Sequence, residues 1–269
     1  MPDPAIWFFA WTQKAWIGLR DSAKALLGPE RAERLIAASG IRGLKSRHWR
    51  FEKRMPDGSL IRYRPADQCI IDEIYDGKAY GSGEEIRPGQ TVVDVGGHIG
   101  SFSLWAARRV GPSGRVIVCE PGPDNLALLR ANLERNALPQ IKLHACALGD
   151  HAGEAELFIA DSSADNPAAN TLVATTGRKA VKVPLRTLDQ IADEEKLTQI
   201  DHLKIDVEGA EMLVLKGAPK ALKLTSRVVL EIHAEKLDPQ TVVDFLSSSG
   251  FTVKILSKKP NAWLAEARR

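Results

Sequence analysis

The chain has 269 residues, 44% hydrophobic, 26% charged and 6% aromatic, which is the composition of a folded globular protein and excludes a disordered or fibrous one. Lys and Arg number 37 against 34 Asp and Glu, and the resulting net charge of +3 is too small to point to a nucleic-acid partner. No apolar run approaches the ~20 residues of a membrane span, and the three scattered cysteines (Cys69, Cys119, Cys146) build neither a disulfide framework nor a zinc ribbon.

A reducing cytoplasm is therefore the default compartment. The start Met1-Pro2-Asp3-Pro4 has no positive n-region, so no secretory signal is expected. Residues 1–40 read as helices, with apolar residues at Ile6, Phe9, Trp16, Ile17, Leu26 and Leu27 until Gly28-Pro29 interrupts. Trp7, Trp11 and Trp16 suit a weak membrane contact over residues 6–17, but the polar face carries few cations. Packing on the rest of the chain, or on a second copy in a homo-oligomer, is favoured.

Residues 47–64 read as a β-hairpin, His48–Phe51 and Leu60–Tyr63 around Pro56-Asp57-Gly58-Ser59. Basic residues crowd positions 42–64, a pattern that suits an anionic ligand but is commoner on a plain solvated face. These two units make an appendage over 1–65, and residues 66–269 form the main domain.

From residue 87 strands and helices alternate. Apolar strand-like runs fall at Thr91–Val95, Val116–Cys119, Ile141–Ala145, His202–Ile205, Val228–Ile232 and Phe251–Ile255. Helix-period segments at 99–110, 123–135, 209–217 and 239–248 separate most of them. The economical fold is α/β, a doubly wound sheet of parallel strands. A strand pair, Glu154–Ile159 and Ala180–Leu185, interrupts it around the small-residue loop Asp161–Gly177. Such a loop is expected to be mobile and to close over a substrate, with Asn170 or Thr171 touching it.

Ligands of open α/β sheets bind beyond the carboxyl ends of the strands. There the chain carries Asp94-Val95-Gly96-Gly97-His98-Ile99-Gly100, Glu120-Pro121, Ala145-Cys146-Ala147, Lys204-Ile205-Asp206-Val207-Glu208-Gly209 and Glu231-Ile232-His233. One acid after a strand is an ordinary helix cap, but four such endings at one rim are not explained by capping. A glycine-rich turn with an acid 20 residues after Gly100 serves either NAD or S-adenosylmethionine. The dinucleotide fingerprint needs glycine where Val95 stands, and Asp94 would repel a pyrophosphate. A sulfonium and an ammonium are attracted by the same carboxylates. Glu120 can accept hydrogen bonds from both ribose hydroxyls.

These residues resemble the FkbM-type S-adenosylmethionine-dependent methyltransferases. The resemblance rests on VVDVGGHIGSFSLWAA (92–107), VIVCEPGPDNLALLRAN (116–132), HACALGD (144–150), VPLRTLDQI (183–191), IDHLKIDVEGAEMLVLKGA (200–218) and VVLEIH (228–233). It covers roughly residues 70–235, and LKIDVEGAE is its most specific string. His98 departs from it, standing where the family commonly has asparagine. The resemblance implies a Rossmann-like class I methyltransferase sheet and O-methylation of a sugar, glycolipid or polyketide-type hydroxyl. An NAD-dependent oxidoreductase and a non-catalytic binding protein of the same fold are the alternatives. Methylation of nucleic-acid bases is disfavoured, because IDVEGAE replaces the Asn/Asp-Pro-Pro-aromatic pattern of those enzymes.

Roles follow from position. Gly96 and Gly97 let the backbone approach the methionine part, Asp94 or a water on it would hold the ammonium, and Gly100 and Asp206 are further cofactor-binding candidates. Ala147 borders the adenine, with Cys119 and Pro121 forming its slot, and His98 is a cofactor-side contact. Methyl transfer is an in-line displacement that needs alignment and removal of the hydroxyl proton. His233 is the first candidate for the base, with Asp206, Glu208 and Glu231 beside it. Glu231 and His233 share a strand face and can equally well brace each other. No ligand pair has a recognised metal spacing, so a metal-free reaction is expected. The divalent alternative would use Asp206, Glu231 and His233 and suit Zn²⁺ or Mn²⁺.

Overall fold

The computed structural model describes Leu26 and residues 50–76, 80, 85–160 and 169–269. The helices expected over 1–40 and a strand start at His48 lie outside them. Hairpin strands β1 (Phe51–Arg54) and β2 (Leu60–Tyr63) pair antiparallel, and Asp57 Oδ1 accepts the Ser59 N–H at 2.9 Å to close the turn. Among the described residues β1 begins at Phe51, which pairs with Tyr63. Helix α1 (Gln68–Tyr75) follows a 3₁₀ turn over Pro65–Asp67.

The main sheet begins with β3 (Thr91–Val95), α2 (Ser101–Val110), β4 (Arg115–Cys119), α3 (Pro123–Asn136) and β5 (Ile141–His144). The inserted unit comprises β6 (Ala147–Leu148), β7 (Gly153–Phe158) and β8 (Ala180–Arg186), paired in the order β6-β8-β7. Then come α4 (Leu188–Glu194), β9 (Ile200–Ile205), α5 (Glu211–Lys216), α6 (Pro219–Leu224), β10 (Thr225–His233), α7 (Pro239–Ser248), β11 (Thr252–Lys258) and β12 (Ala262–Arg268). The sheet order is β11-β12-β10-β9-β3-β4-β5. β5, β4, β3, β9 and β10 run parallel, as expected; β12 lies antiparallel between β10 and β11.

Two expectations change. The last strand, β12, carries a weak strand signal, with three alanines in its Ala-Trp-Leu-Ala-Glu-Ala run, and its place is set by partners on both sides. The helix expected over 209–217 is α5, and a further short helix that was not expected, α6, follows it, because Pro219 starts a new helix where it cannot continue the old.

The period-2 alternation of strands sorts their side chains onto two layers. Val93, Val95, Ile117, Cys119, Leu203 and Ile205 pack with α4–α7. Val92, Val116 and Val118 pack with α1, α2, α3 and the hairpin residues Phe51, Ile61 and Tyr63. The boundary expected after residue 65 therefore does not separate two cores. Buried Asn132 on α3 locks the junction: its Oδ1 accepts the Arg62 N–H at 2.7 Å, and its Nδ2 donates to Arg62 O at 3.0 Å and Ile99 O at 2.8 Å.

Asn132→Ala strands three backbone groups at once. It should cost about 2–4 kcal/mol in a urea titration. A loss near zero would show that the hairpin is an independent attachment.

Candidate active site

The carboxyl ends of β3, β4, β9 and β10 surround a cavity of about 560 Å³, a size that accepts a cofactor. Gly96 opens its floor with φ +83°, and a Cβ there would stand 1.8 Å from Asp206 O, so only glycine fits. The Gly96 and Gly97 amides both donate to Cys119 O at 3.0 Å, which holds the turn against the end of β4. Cys119, Pro121, Cys146 and Ala147 line the cavity.

Glu120 is buried in this wall. Its Oε2 accepts the His98 N–H at 2.9 Å, and its Oε1 accepts from Gly122 N at 2.7 Å and Asn125 Nδ2 at 3.2 Å. Burial nevertheless pushes its pKa up. The His98 ring is turned to other work. Its Nε2 lies 2.9 Å from Arg64 Nη2 and 3.3 Å from Asp67 Oδ1, beneath the cavity. Its backbone N–H, rather than its imidazole, reaches the Glu120 carboxylate. Burial pushes the Asp67 carboxyl up, but His98 and the Arg64 guanidinium outweigh it and hold the pKa at about 2.

Asp94, expected beside the cofactor's ammonium, has protein partners on both carboxylate oxygens. It is fully buried, accepts the Ser103 hydroxyl at 2.6 Å, and has Lys204 Nζ 3.0 Å from its Oδ1. The physical reason is register: Asp94 and Lys204 are directly paired residues of β3 and β9, so their side chains rise on the same face. Lys204 also donates to Gly96 O at 2.7 Å. It is the residue the sequence reading passed over, although a lysine two places before Asp206 in an apolar strand was a signal of a buried partner. Asp206 remains half-exposed to the cavity and accepts the Tyr80 hydroxyl at 3.0 Å. No pattern in the sequence marks Tyr80.

β9 and β10 are neighbours, so Asp206, Glu231 and His233 do converge. The brace between Glu231 and His233 is absent. His233 Nδ1 is 2.8 Å from the buried Glu211 Oε1, and Nε2 is 3.4 Å from Glu208 Oε2. Burial lowers the imidazole pKa, but the contacts with Glu208 and Glu211 overcome it and raise it to about 11. Both ring nitrogens of the residue expected to be the base therefore face carboxylates. Glu208 holds a left-handed φ of +55°, pinned by Thr171 Oγ1 (2.6 Å) and Lys236 Nζ (3.0 Å), which donate to its carbonyl. Thr171 is thus a buried strut rather than a substrate contact, and Asn170 lines the cavity near Gly122 on the Glu120 side. Residues 161–168 of the expected lid lie outside the described residues.

Glu231 differs from its neighbours. Among the described residues no ion pair or hydrogen bond engages its carboxylate, and it faces the cavity. Burial, helped by the nearby Asp206, pushes its pKa up to about 7. Ligand atoms of Asp206, Glu208 and His233 lie within 4.8 Å of one another, so the acids that crowd His233 differ from the expected metal set by Glu208 in place of Glu231.

A seven-stranded sheet with one antiparallel strand, a glycine turn after its first central strand and an acid after the second define a class I S-adenosylmethionine-dependent methyltransferase. The sequence model of the Methyltransferase FkbM domain matches residues 94–253, more than half of the chain, and the chain belongs to that family. It is 32% identical to the 31-O-demethyl-FK506 methyltransferase FkbM of Streptomyces tacrolimicus, over 74% of this chain and 88% of that protein. It is also 32% identical to the AMB antimetabolite synthetase AmbE of Pseudomonas aeruginosa, over 70% of this chain but only 10% of that protein's length. The hexuronic acid methyltransferase AglP of Haloferax volcanii is 28% identical over 64% of this chain and 67% of its own. Among the described residues no helix is long and apolar enough to cross a membrane.

The His233 ion pairs have a pH signature. The folded pKa of about 11 lies above the ordinary 6.5, so their contribution to stability is complete below pH 6.5 and is lost as pH rises through 11. The gap in urea midpoint between the wild type and His233→Gln should be widest at about pH 6 and shrink toward about pH 10. A gap independent of pH would mean that Glu208 and Glu211 hold a neutral ring.

Proposed function

We propose that the chain is an O-methyltransferase that methylates a hydroxyl of a sugar, glycolipid or polyketide-type small molecule. The observation that carries this reading is the Glu231 carboxylate at the cavity edge, which no described residue pairs and whose pKa burial pushes up to about 7. A hydroxyl must lose its proton as it attacks, and a base poised near the working pH is the most effective acceptor. Glu231 replaces His233 in that role. The protonated His233, fixed by Glu208 and Glu211, serves as a hydrogen-bond donor that orients the acceptor.

The acceptor wall supports a polyhydroxylated molecule. Glu73, Glu235, Lys236, Lys259 and Asn261 border it and offer both donors and acceptors. Relatives named for a hexuronic acid and for demethyl-FK506 fit the same class.

The residues present fit S-adenosylmethionine. Gly96 and Gly97 provide the close approach, Glu120 a buried acceptor for ribose hydroxyls, and Pro121, Cys119 and Ala147 an adenine slot. When bound, this cofactor supplies a methyl group activated by its sulfonium. The chain aligns the acceptor, takes its proton at Glu231 and keeps water out with Tyr80 and Phe102, whose rings meet edge to face at 5.4 Å.

A metal is not part of this reading. Glu208 already has two cationic neighbours, His233 and Lys236, the latter 3.7 Å away, and an imidazole that keeps its proton offers no lone pair at Nε2.

Glu231→Gln should lower kcat by roughly 10²–10⁴-fold while S-adenosylhomocysteine binds as before. In the wild type, kcat/KM should rise with pH and level off above about 7. Turnover within a few-fold of wild type, or a profile flat through neutrality, would remove Glu231 from the role. A chelator should leave turnover unchanged; loss restored by one divalent ion would overturn the metal-free reaction.

A further inference from the structure

Lys204 has more donor capacity than the described residues use. An ammonium carries three N–H groups and no acceptor. Gly96 O accepts one at 2.7 Å, and Asp94 Oδ1 stands 3.0 Å away. The second carboxylate, Asp206 Oδ2, is 3.9 Å off, beyond hydrogen-bond reach. The lysine is almost wholly buried, its side chain 6% exposed, yet it borders the cavity at the glycine turn. Burial disfavours its charge, but Asp94 and Asp206 overcome that and raise its pKa, so the cation persists.

The two carboxylates around it are not equivalent. Asp94 is sealed off at 0% exposure and is neutralised by Lys204. Asp206 keeps 27% of its side chain exposed and faces the cavity. The floor of the cavity therefore presents one cation with a spare donor and one accessible anion, 3.9 Å apart. That spacing and sign pattern complement an α-amino acid, whose ammonium nitrogen and carboxylate oxygens lie about 3 Å apart by standard bond lengths.

We infer that Lys204 binds the α-carboxylate of the cofactor's methionine part, with Asp206 receiving its ammonium, and so selects S-adenosyl amino acids over adenosine thioethers that lack the carboxylate. The inference rests on the reading that this cavity holds S-adenosylmethionine with its amino-acid end at Gly96. Lys204 then does two jobs with one charge. It neutralises Asp94 from below and meets the ligand from above.

The test compares two ligands by calorimetric titration: S-adenosylhomocysteine and its decarboxylated form, S-adenosyl-3-thiopropylamine. The wild type should prefer the first by about tenfold or more, the size of a charge-assisted hydrogen bond. Lys204→Met should abolish that preference while its affinity for the decarboxylated ligand stays within about threefold of wild type. Because that variant leaves Asp94 buried without its cation, the double variant Asp94→Asn/Lys204→Met, which removes both charges, is measured beside it. If the double variant keeps the wild-type preference, or weakens both ligands equally, Lys204 is only the counter-ion of Asp94 and the inference is wrong. If the wild type binds neither ligand, the placement of the cofactor fails first and takes the inference with it.

Discussion

The site depends on a single buried ion pair, Asp94 with Lys204. Two charges removed from water cost several kcal/mol each, and that cost is offset only when the partners meet with good geometry. Here the sheet supplies the geometry, because the two residues are register partners on neighbouring parallel strands. The lysine then reaches on to Gly96 O, so the carbonyl that starts the glycine turn is held from below. Asp206 N donates to Val95 O at 3.0 Å and closes the same corner from β9. With Asp206 O where a Gly96 side chain would stand, the turn has one available path. The cofactor floor is thus a consequence of pairing β3 with β9.

Around the rim, chemically similar residues acquire different protonation states from their partners alone. Asp67 sits between Arg64 and His98 and stays ionised to about pH 2. Glu231 is less buried and near Asp206, forms no ion pair among the described residues, and has its pKa pushed up to about 7 by burial first and Asp206 next. His233 is surrounded by Glu208 and Glu211 and holds its proton to about 11. This separation of pKa values along one strand, between Glu231 and its second neighbour His233, is what the proposed roles of proton acceptor and hydrogen-bond donor rest on.

The hairpin belongs to the same machinery. Arg64 follows β2 and donates to Asp67, to Asn125 on α3 at 2.8 Å and to the His98 ring. Asn125 in turn donates to Glu120. The residue that stands where the family commonly has asparagine is thereby explained by its neighbours: the His98 ring fills a place between Arg64 and Asp67, while its backbone amide makes the bond to Glu120.

The fold class and the cavity rim were legible in the sequence because their signals are local. Apolar runs such as Thr91–Val95 and Val228–Ile232, turn glycines and the acids that follow strands depend on period-2 alternation and on the chain's direction, and both can be read along the chain. The family strings added the cofactor. What the sequence could not settle was which charges neutralise which. Asp94 looked like a ligand contact until its register partner Lys204 was beside it, and His233 looked like a base until Glu208 and Glu211 closed on both ring nitrogens. β12 was missed because its alanines pack only between two strands already in place. The sequence by itself determined the residue types at the carboxyl edge of the sheet. Tertiary structure alone decided their protonation and roles, because a pKa depends on burial and on charges a few ångströms away in space.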